Sequence, residues 1–327
     1  VNSGHDNSFL LLARYIFRQK SIIFAVMSLA VIAGLSFAAP LYAYCVGVDP
    51  FSSNVAGVVI RHGLQMDIMQ PNNNPLHLGL TPIGPDFSKW SYMFGADSQG
   101  RDVAARLLYG GRSSLVIAAC STCVCLCFAS VLGVCAGYFE GWVDQIVSRF
   151  LDILWAIPVY LFAISLSVVT VGHPLSLLGY KVGADSFLIP IVIIGFIYVP
   201  YAARPLRAQT LSVNKAEFVI AARGVGASHV RIICREIVPN VMPTLLVMAP
   251  LIAALCLLAE SALSFLSLGV QAPAASWGTM IQDGEGLLYT RPFVAIAPGI
   301  AIVVTVLALN IIGDRLRDFF EMRGARG

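Results

Sequence analysis

RPLRAQTLSVNKAEFVIAARGVGASHVRIICREIVPN, residues 204–240, is a basic island between two apolar runs. It carries Arg204, Arg207, Lys215, Arg223, Arg231 and Arg235, whereas the windows 186–203 and 237–259 on either side hold no Asp, Glu, Lys or Arg. The island reads as two short helices around a turn. Glu217 through Arg223 is helix-compatible, and Arg223 suits the negative end of the helix dipole. Gly226 supplies a left-handed stop. Ser228 is placed to cap a second helix, which is expected to run until Pro239, where the ring and the missing N–H end it. Ala221 and Ala222 leave a bare helix face beside the turn, small enough for another protein to approach closely. On these residues alone the segment is an amphipathic connection between spans.

Moving outward, the rest of the chain has the same contrast. The 327 residues are 12% charged and 57% apolar, with a mean hydropathy of +0.79. An ordinary soluble domain is about 25% charged. The shortfall excludes disorder, a nucleic-acid-binding module and most cytosolic enzymes, and points to a membrane protein. Crossing about 30 Å of hydrocarbon takes ~20 helical residues. Uncharged windows occur at 21–48, 113–139, 153–180, 186–203, 237–259 and 292–313, which predicts six transmembrane helices. Prolines inside them are tolerable because neighbouring helices can satisfy the freed carbonyls. The window 261–282, rich in Ser, Gly and Pro, reads as a loop or short helices.

The basic residues set the orientation. One side receives Arg14, Arg18, Lys20, Arg149, the six of the island, Arg315, Arg317, Arg323 and Arg326, while the opposite short loops hold Lys181 and Arg291. Five more lie in one long loop, which weighs little in the positive-inside rule. Both termini and the 204–240 connection are therefore expected in the cytoplasm. The 21–48 run exceeds the 7–15 residues of a signal-peptide core and is expected to be an uncleaved anchor.

Several chemistries lack raw material. Five of eight cysteines fall in the second window (Cys120, Cys123, Cys125, Cys127, Cys135); Cys120 and Cys123 have C-x-x-C spacing, but they lie inside a long apolar run, and the five read as small apolar packers. Only one of the five histidines, His173 near the end of 153–180, falls in a window, so a membrane hydrolase or an intramembrane His metal site has little raw material. No P-loop string is present, so ATP would have to be hydrolysed by another subunit. A secondary transporter should show several intramembrane charges. Here Asp152 is expected to pair with Arg149 at the interface. Glu260, at the far end of the fifth window, has two readings: it lines a polar pathway, or its head sits in interfacial water.

Three ordered motifs carry a resemblance. Ala221-Ala222, Gly226 and Pro239 are similar to the EAA loop of ABC importer permeases, consensus EAA-x3-G-x9-I-x-L-P, with Ile220, Glu236 and Val238 departing from it. AARGVGAS followed by RIICREIVPN resembles the peptide/nickel branch. FGADSQGRDVAARLLYGGRSSL (94–115) resembles that branch's outward signature, with Ala96 where Thr is usual, and ESALSFLSLGVQAPAASWGTMI (260–281) with PGIAIVVTVLALNIIGDRLRD (298–318) resembles its C-terminal third.

The resemblance, to the C-type subunit of dipeptide or oligopeptide permeases, implies an all-α, polytopic type I permease fold. Its parts would be a cytoplasmic tail (1–20), a first helix (21–48), an extracytoplasmic loop (49–112), a five-helix core (113–313) and a second tail (314–327). It implies a transport subunit, not an enzyme, in a bacterial plasma (inner) membrane. Its partners would be a second homologous permease, two ABC ATPases holding ATP and Mg, and an extracytoplasmic binding protein. Peptides are the implied cargo, with nickel or glutathione carried by the same machinery elsewhere in the branch. Ala221, Ala222, Arg223, Gly226, Ala227, Ser228 and Pro239 are the implied coupling loop. Asp97, Gly100, Arg101, Asp102 and Arg106 form the outward signature, with Asp97 the expected helix cap.

Overall fold

The computed structural model describes residues 19–324 except 62, 73–78, 173–174, 178–179 and 183–185. Outside the described residues lie most of the 1–20 tail, with His5, Arg14 and Arg18, and also His62, Asn73, Asn74, His77, His173 and Arg326.

The first apolar window forms two helices, α1 (Lys20–Phe37) and α2 (Ala39–Val46), broken at Ala38 just before Pro40 takes a first-turn position. Two antiparallel hairpins come next: β1 (Val58–Arg61) with β2 (Leu64–Asp67), and β3 (Met69–Pro71) with β4 (Leu80–Pro82). They close over a small core of Ile68, Ile83, Tyr92 and Ala96. The long loop is thus a folded cap, and the chain is mostly helical rather than wholly so.

Helix α3 (Val103–Phe139) starts ten positions before the expected 113, because Asp102 caps it and its first turns bury Val103, Ala104 and Ala105. Beyond it are α4 (Gly141–Ala156) and α5 (Val159–Gly172), bent by 88°. The expected span 153–180 is not one helix. Pro158 forces Ile157 into an extended conformation (ψ 126°), and a third hairpin, β5 (Leu175–Leu177) with β6 (Tyr180–Val182), occupies the end of the window. Helices α6 (Leu188–Ile197) and α7 (Val199–Asn214) form a second bent pair, at 43°.

The turn beyond α7 holds α8 (Glu217–Gly224) and α9 (His229–Ile232). Helix α9 runs through a π turn, Ile233–Ile237, into α10 (Val238–Phe265). Pro239 therefore does not end the second helix. A proline ring clashes with the carbonyl four residues back, and the widened π turn before it makes room. Helices α11 (Trp277–Glu285) and α12 (Phe293–Gly324) complete the chain.

Four of these helices, counting α9 to α10 as one, are long and apolar enough to cross a membrane, and the bent pairs raise the number to as many as six. Helix α3 is the central strut, packed by α1, α6, α7, α10 and α11. It lies against α7 with almost no gap: a Cβ on Gly137 would come 2.8 Å from the Arg207 carbonyl oxygen, and one on Gly133 2.9 Å from that of Ala203. The main core, including Ile117, Cys125, Ile194, Val199, Leu257 and Leu263, fills the middle of the bundle. Of the five cysteines on α3, only Cys125 is buried; Cys120, Cys123 and Cys127 are exposed, so packing explains fewer of them than expected.

Candidate functional site

The motifs collect at opposite ends of α3. At one end is the signature, residues 97–106; at the other is the turn formed by α8 and α9.

In the turn, α8 ends in a Schellman motif. The Ala227 N–H donates to the Ala222 carbonyl at 3.1 Å, the Gly226 N–H donates to that of Arg223 at 3.0 Å, and Gly226 has φ +80°. A Cβ at Gly226 would meet nothing within 4 Å, so backbone conformation alone demands glycine there. Val219 is fully buried and plants α8 on a second apolar cluster with Tyr138, Leu206, Ile232, Ile237 and Val241, which Ala222 and Ala227 flank. The opposite face is bare: Ile220 is 57% exposed, Val225 90% and Val230 71%, beside exposed Ala221. Ser228 holds the N-cap position of α9, but its side chain makes no capping bond. Pro239 is exposed further along the chain.

Polar groups tie this turn to the helices above it. Arg223 donates to the side-chain carbonyl oxygen of Asn214 and lies over the Tyr138 ring, 5.3 Å from its centroid. Asn214 Nδ2 donates to the Tyr138 carbonyl at 3.2 Å and to Glu140 Oε1 at 3.1 Å. The Tyr138 hydroxyl and His229 Nδ1 share a hydrogen bond of 2.8 Å. None of Tyr138, Glu140, Asn214 or His229 stands out in the sequence. Nearby, a cavity of about 900 Å³ opens between α7, α10 and α12, with Gln209, Asn240, Thr244, Asn310 and Asp314 in its wall.

The signature end is built differently. Asp97 accepts from the Gln99 and Arg101 backbone N–H groups, both at 2.9 Å, and from Arg101 Nε at 2.7 Å. Arg106 Nε lies 3.3 Å from the same carboxylate. Asp283, on α11, receives Arg101 and Arg106 on one oxygen, each at 2.9 Å. Burial leaves the Asp283 carboxyl raised above its ordinary value, with Arg106 and Arg101 offsetting only part of the effect. The helix cap is Asp102, not Asp97: Asp102 accepts from the Ala105 N–H at 2.9 Å and from the Tyr92 N–H. Burial raises its pKa, opposed by the amides of Ala105, Tyr92 and Ala104. Gly100 has φ +73°, and a Cβ there would stand 2.5 Å from the Asn54 carbonyl oxygen, so the cap's chain rests directly on it. The five signature residues are thus brought together, with Asp283 as an unforeseen sixth.

Glu260 is 0% exposed, so its head does not sit in interfacial water in this structure. Ser264 Oγ donates to it at 2.7 Å, and the hydroxyls of Ser114, Ser276 and Ser261 also reach it. Three of these serines accept backbone N–H groups: Ser264 from Val270, Ser114 from Trp277, and Ser276 from Thr279. Each hydroxyl hydrogen is thereby free for the carboxyl, which knots α3, α10 and α11 together. Asp152 pairs with Arg204 at 2.8 Å rather than with Arg149, because the bend after Ala156 leaves α4 alongside α7.

A helical bundle with long apolar spans, charges satisfied within the chain at one end and an exposed apolar turn at the other is a multi-pass membrane protein. Residues 129–325 match the family described as binding-protein-dependent transport system inner membrane component, and the chain belongs to that family. It is therefore a permease component of ABC transporters, working with an ATPase that is a separate subunit and with a binding protein.

Curated relatives agree. The chain is 36% identical over 238 residues to the dipeptide transport system permease protein DppC of Alkalihalophilus pseudofirmus, covering 73% of each. It is 39% identical over 242 residues to the probable peptide ABC transporter permease protein y4tQ of Sinorhizobium fredii (74% and 77% covered). The glutathione transport system permease protein GsiD of Pectobacterium atrosepticum is 34% identical over 238 residues (73% and 74%). Among solved structures, a chain from the inward-facing MetNI methionine ABC transporter superposes with a TM-score of 0.52 at 18% identity, covering 65% of this chain and 95% of that one. It shares the fold.

Proposed function

We propose that this chain is the membrane-spanning half-channel of an ATP-driven importer that takes up di- or oligopeptides delivered by an extracytoplasmic binding protein. In this reading each bent pair counts as one span, giving six, with both termini and the α8–α9 turn in the cytoplasm of a bacterial plasma membrane. A second, homologous permease completes the pathway. The cavity beside α10, apolar over most of its wall, supports a water-facing route through the polar side chains it does hold, such as Asn240, Thr244 and Asn310, which are costly against lipid.

The observation that carries the proposal is the exposed apolar face of Ile220, Ala221, Val225 and Val230, held at a fixed angle by Gly226. Exposed apolar patches of this kind mark protein contacts. The turn docks in a groove on an ATPase that binds ATP and Mg, so nucleotide-driven closure tilts the spans. A stiff contact is needed for this, and no reactive group.

Gly226→Asp is the test. A side chain at φ +80° costs about 1–2 kcal/mol locally and displaces the docking face. The variant is expected to insert normally yet lose uptake of labelled di- and oligopeptides. Co-purification with the ATPase together with unchanged substrate-stimulated ATP hydrolysis would sink the assignment. The GsiD relative makes glutathione, itself a tripeptide, the competitor to include in the same assay.

A further inference from the structure

The chain reverses between α3 and α4 through two consecutive residues of positive φ, Glu140 (φ +51°, ψ −161°) and Gly141 (φ +55°). Glycine holds such a conformation freely, but other residues rarely do, and they keep it only where surroundings enforce it. Asn214, 4% exposed at the last position of α7, does the enforcing. Its amide spans the reversal, with one bond to the carbonyl of Tyr138 and one to the side chain of Glu140. Its remaining acceptor, Oδ1, is taken by Arg223 from the docking helix α8. One buried side chain thus touches the docking helix, the end of α3 and the reversal.

Beyond the reversal the chain is held by few buried groups, with ring contacts of Phe150 to Phe196 and Trp155 to Tyr201. Helix α4 buries only Leu151, leaving Trp142, Ile146 and Ile153 exposed. Its other polar ties are ion pairs to α7, Arg207 with Asp144 and Arg204 with Asp152. Elements with few buried apolar contacts are the ones that move at low cost. By contrast, α3 and α7 are locked together by Gly133 and Gly137. A push on α8 therefore meets a rigid α3–α7 pair and one soft joint.

We propose that Asn214 is the positioning residue that links the docking turn to a hinge at Glu140–Gly141, so that α4 and the bent α5 are the part of this chain that swings when the ATPase closes. The inference rests on the coupling role proposed above for α8. Displacing Arg223 pulls on Asn214 Oδ1; the same amide then releases or re-forms its bonds at the reversal, and α4 changes its angle to α3. No bond is made or broken covalently, and no proton need move.

The experiment uses the complete transporter, with binding protein and ATPases, in proteoliposomes, and reads peptide uptake and ATP hydrolysis side by side. Asn214→Ala is expected to keep stimulated hydrolysis within about twofold while uptake per ATP falls about tenfold, within the usual range of inter-site coupling. Glu140→Ala is expected to behave alike, and the double variant no worse than either, because all three break one link. Glu140→Gln retains Oε1 as acceptor and is expected to keep the wild-type ratio. Parallel loss of hydrolysis and uptake, an unchanged ratio in both alanine variants, or additive losses in the double variant would overturn the hinge. If Asn214→Ala does not assemble, the Glu140→Ala and Glu140→Gln pair decides alone. Absence of nucleotide-driven peptide uptake by the wild-type complex is a separate failure, of the importer reading itself.

Discussion

The two ends of α3 handle polarity in opposite ways. At the signature end four largely buried charges, Asp97, Arg101, Arg106 and Asp283, close on one another, and Glu260 is enclosed by hydroxyls a few turns away. At the turn end the apolar face of α8 is left open, and the polar contacts run from two buried side chains, Tyr138 and Asn214, to the exposed residues His229, Glu140 and Arg223. One end is finished within the chain, and the other, in the function proposed above, is completed by the ATPase. A subunit that transmits motion needs both: a fixed point, and a surface that a partner can seize.

Breaking the finished end should therefore cost the most. Arg106→Ala strips a cation from Asp97 and Asp283 in a buried site, where losing one partner of an ion pair costs about 3–5 kcal/mol. Thermal unfolding in detergent should show a large fall, with uptake lost through low yield of folded protein. A variant with wild-type melting behaviour would mean that the network is a surface feature. Glu260→Ala comes next. It removes the acceptor shared by Ser264, Ser114 and Ser276, while Ser261 already donates to the Leu257 carbonyl at 2.9 Å; the freed hydroxyls can turn to nearby carbonyls, leaving a net cost of about 1–3 kcal/mol. A melting loss of a few degrees with full peptide discrimination is expected. A change in which peptides are carried would instead return Glu260 to the pathway.

How much of this contrast the sequence discloses depends on how far apart the interacting residues lie. The four long apolar helices are legible because each contains a run without charge, and Gly226 is legible because its left-handed conformation ends a helix formed by its own neighbours. Asp283 is not, since its partner Arg101 is 182 residues away and nothing local marks the pairing. Asp97 and Asp102 both stand near a helix start with suitable chemistry. Only the path of the chain through Gly100 decides that Asp102 faces the helix and Asp97 faces the arginines. Pro158 could be tolerated in a span or could break one; the extended Ile157 before it makes it a break. Pro239 misleads in the other direction, because the π turn that admits it leaves no compositional trace. The docking face could be read from Ala221 and Ala222, but Asn214 could not, being one amide among polar residues in a basic loop.

At the turn end the effects should be smaller in stability and larger in coupling. Tyr138→Phe deletes the hydroxyl shared with His229 and keeps the ring beneath Arg223. The loss of one neutral hydrogen bond is about 1 kcal/mol. The variant should melt nearly as the wild type does while the angle between α9 and α3 loosens, read as reduced uptake per ATP hydrolysed. If stability falls as far as in Arg106→Ala, the two ends are not different in kind.

The smallest effect is expected at Asp152→Asn, and it separates position from pairing. Asp152 meets Arg204 at 2.8 Å, and Arg204 also lies over Trp155, 4.5 Å from the ring centroid, so the guanidinium keeps a second partner when the carboxylate is neutralised. Both members of the ion pair are exposed, where water and salt screen their attraction, and such pairs contribute about 0–1 kcal/mol. Melting should shift little and should be insensitive to added salt, because the cation–π contact remains. If α4 swings about Glu140–Gly141, this pair must break or re-form with each stroke, and a weak pair suits that better than a strong one. Uptake equal to or slightly above the wild-type rate is therefore expected, and a pronounced fall would make Arg204–Asp152 part of the fixed frame and place the moving boundary beyond α4.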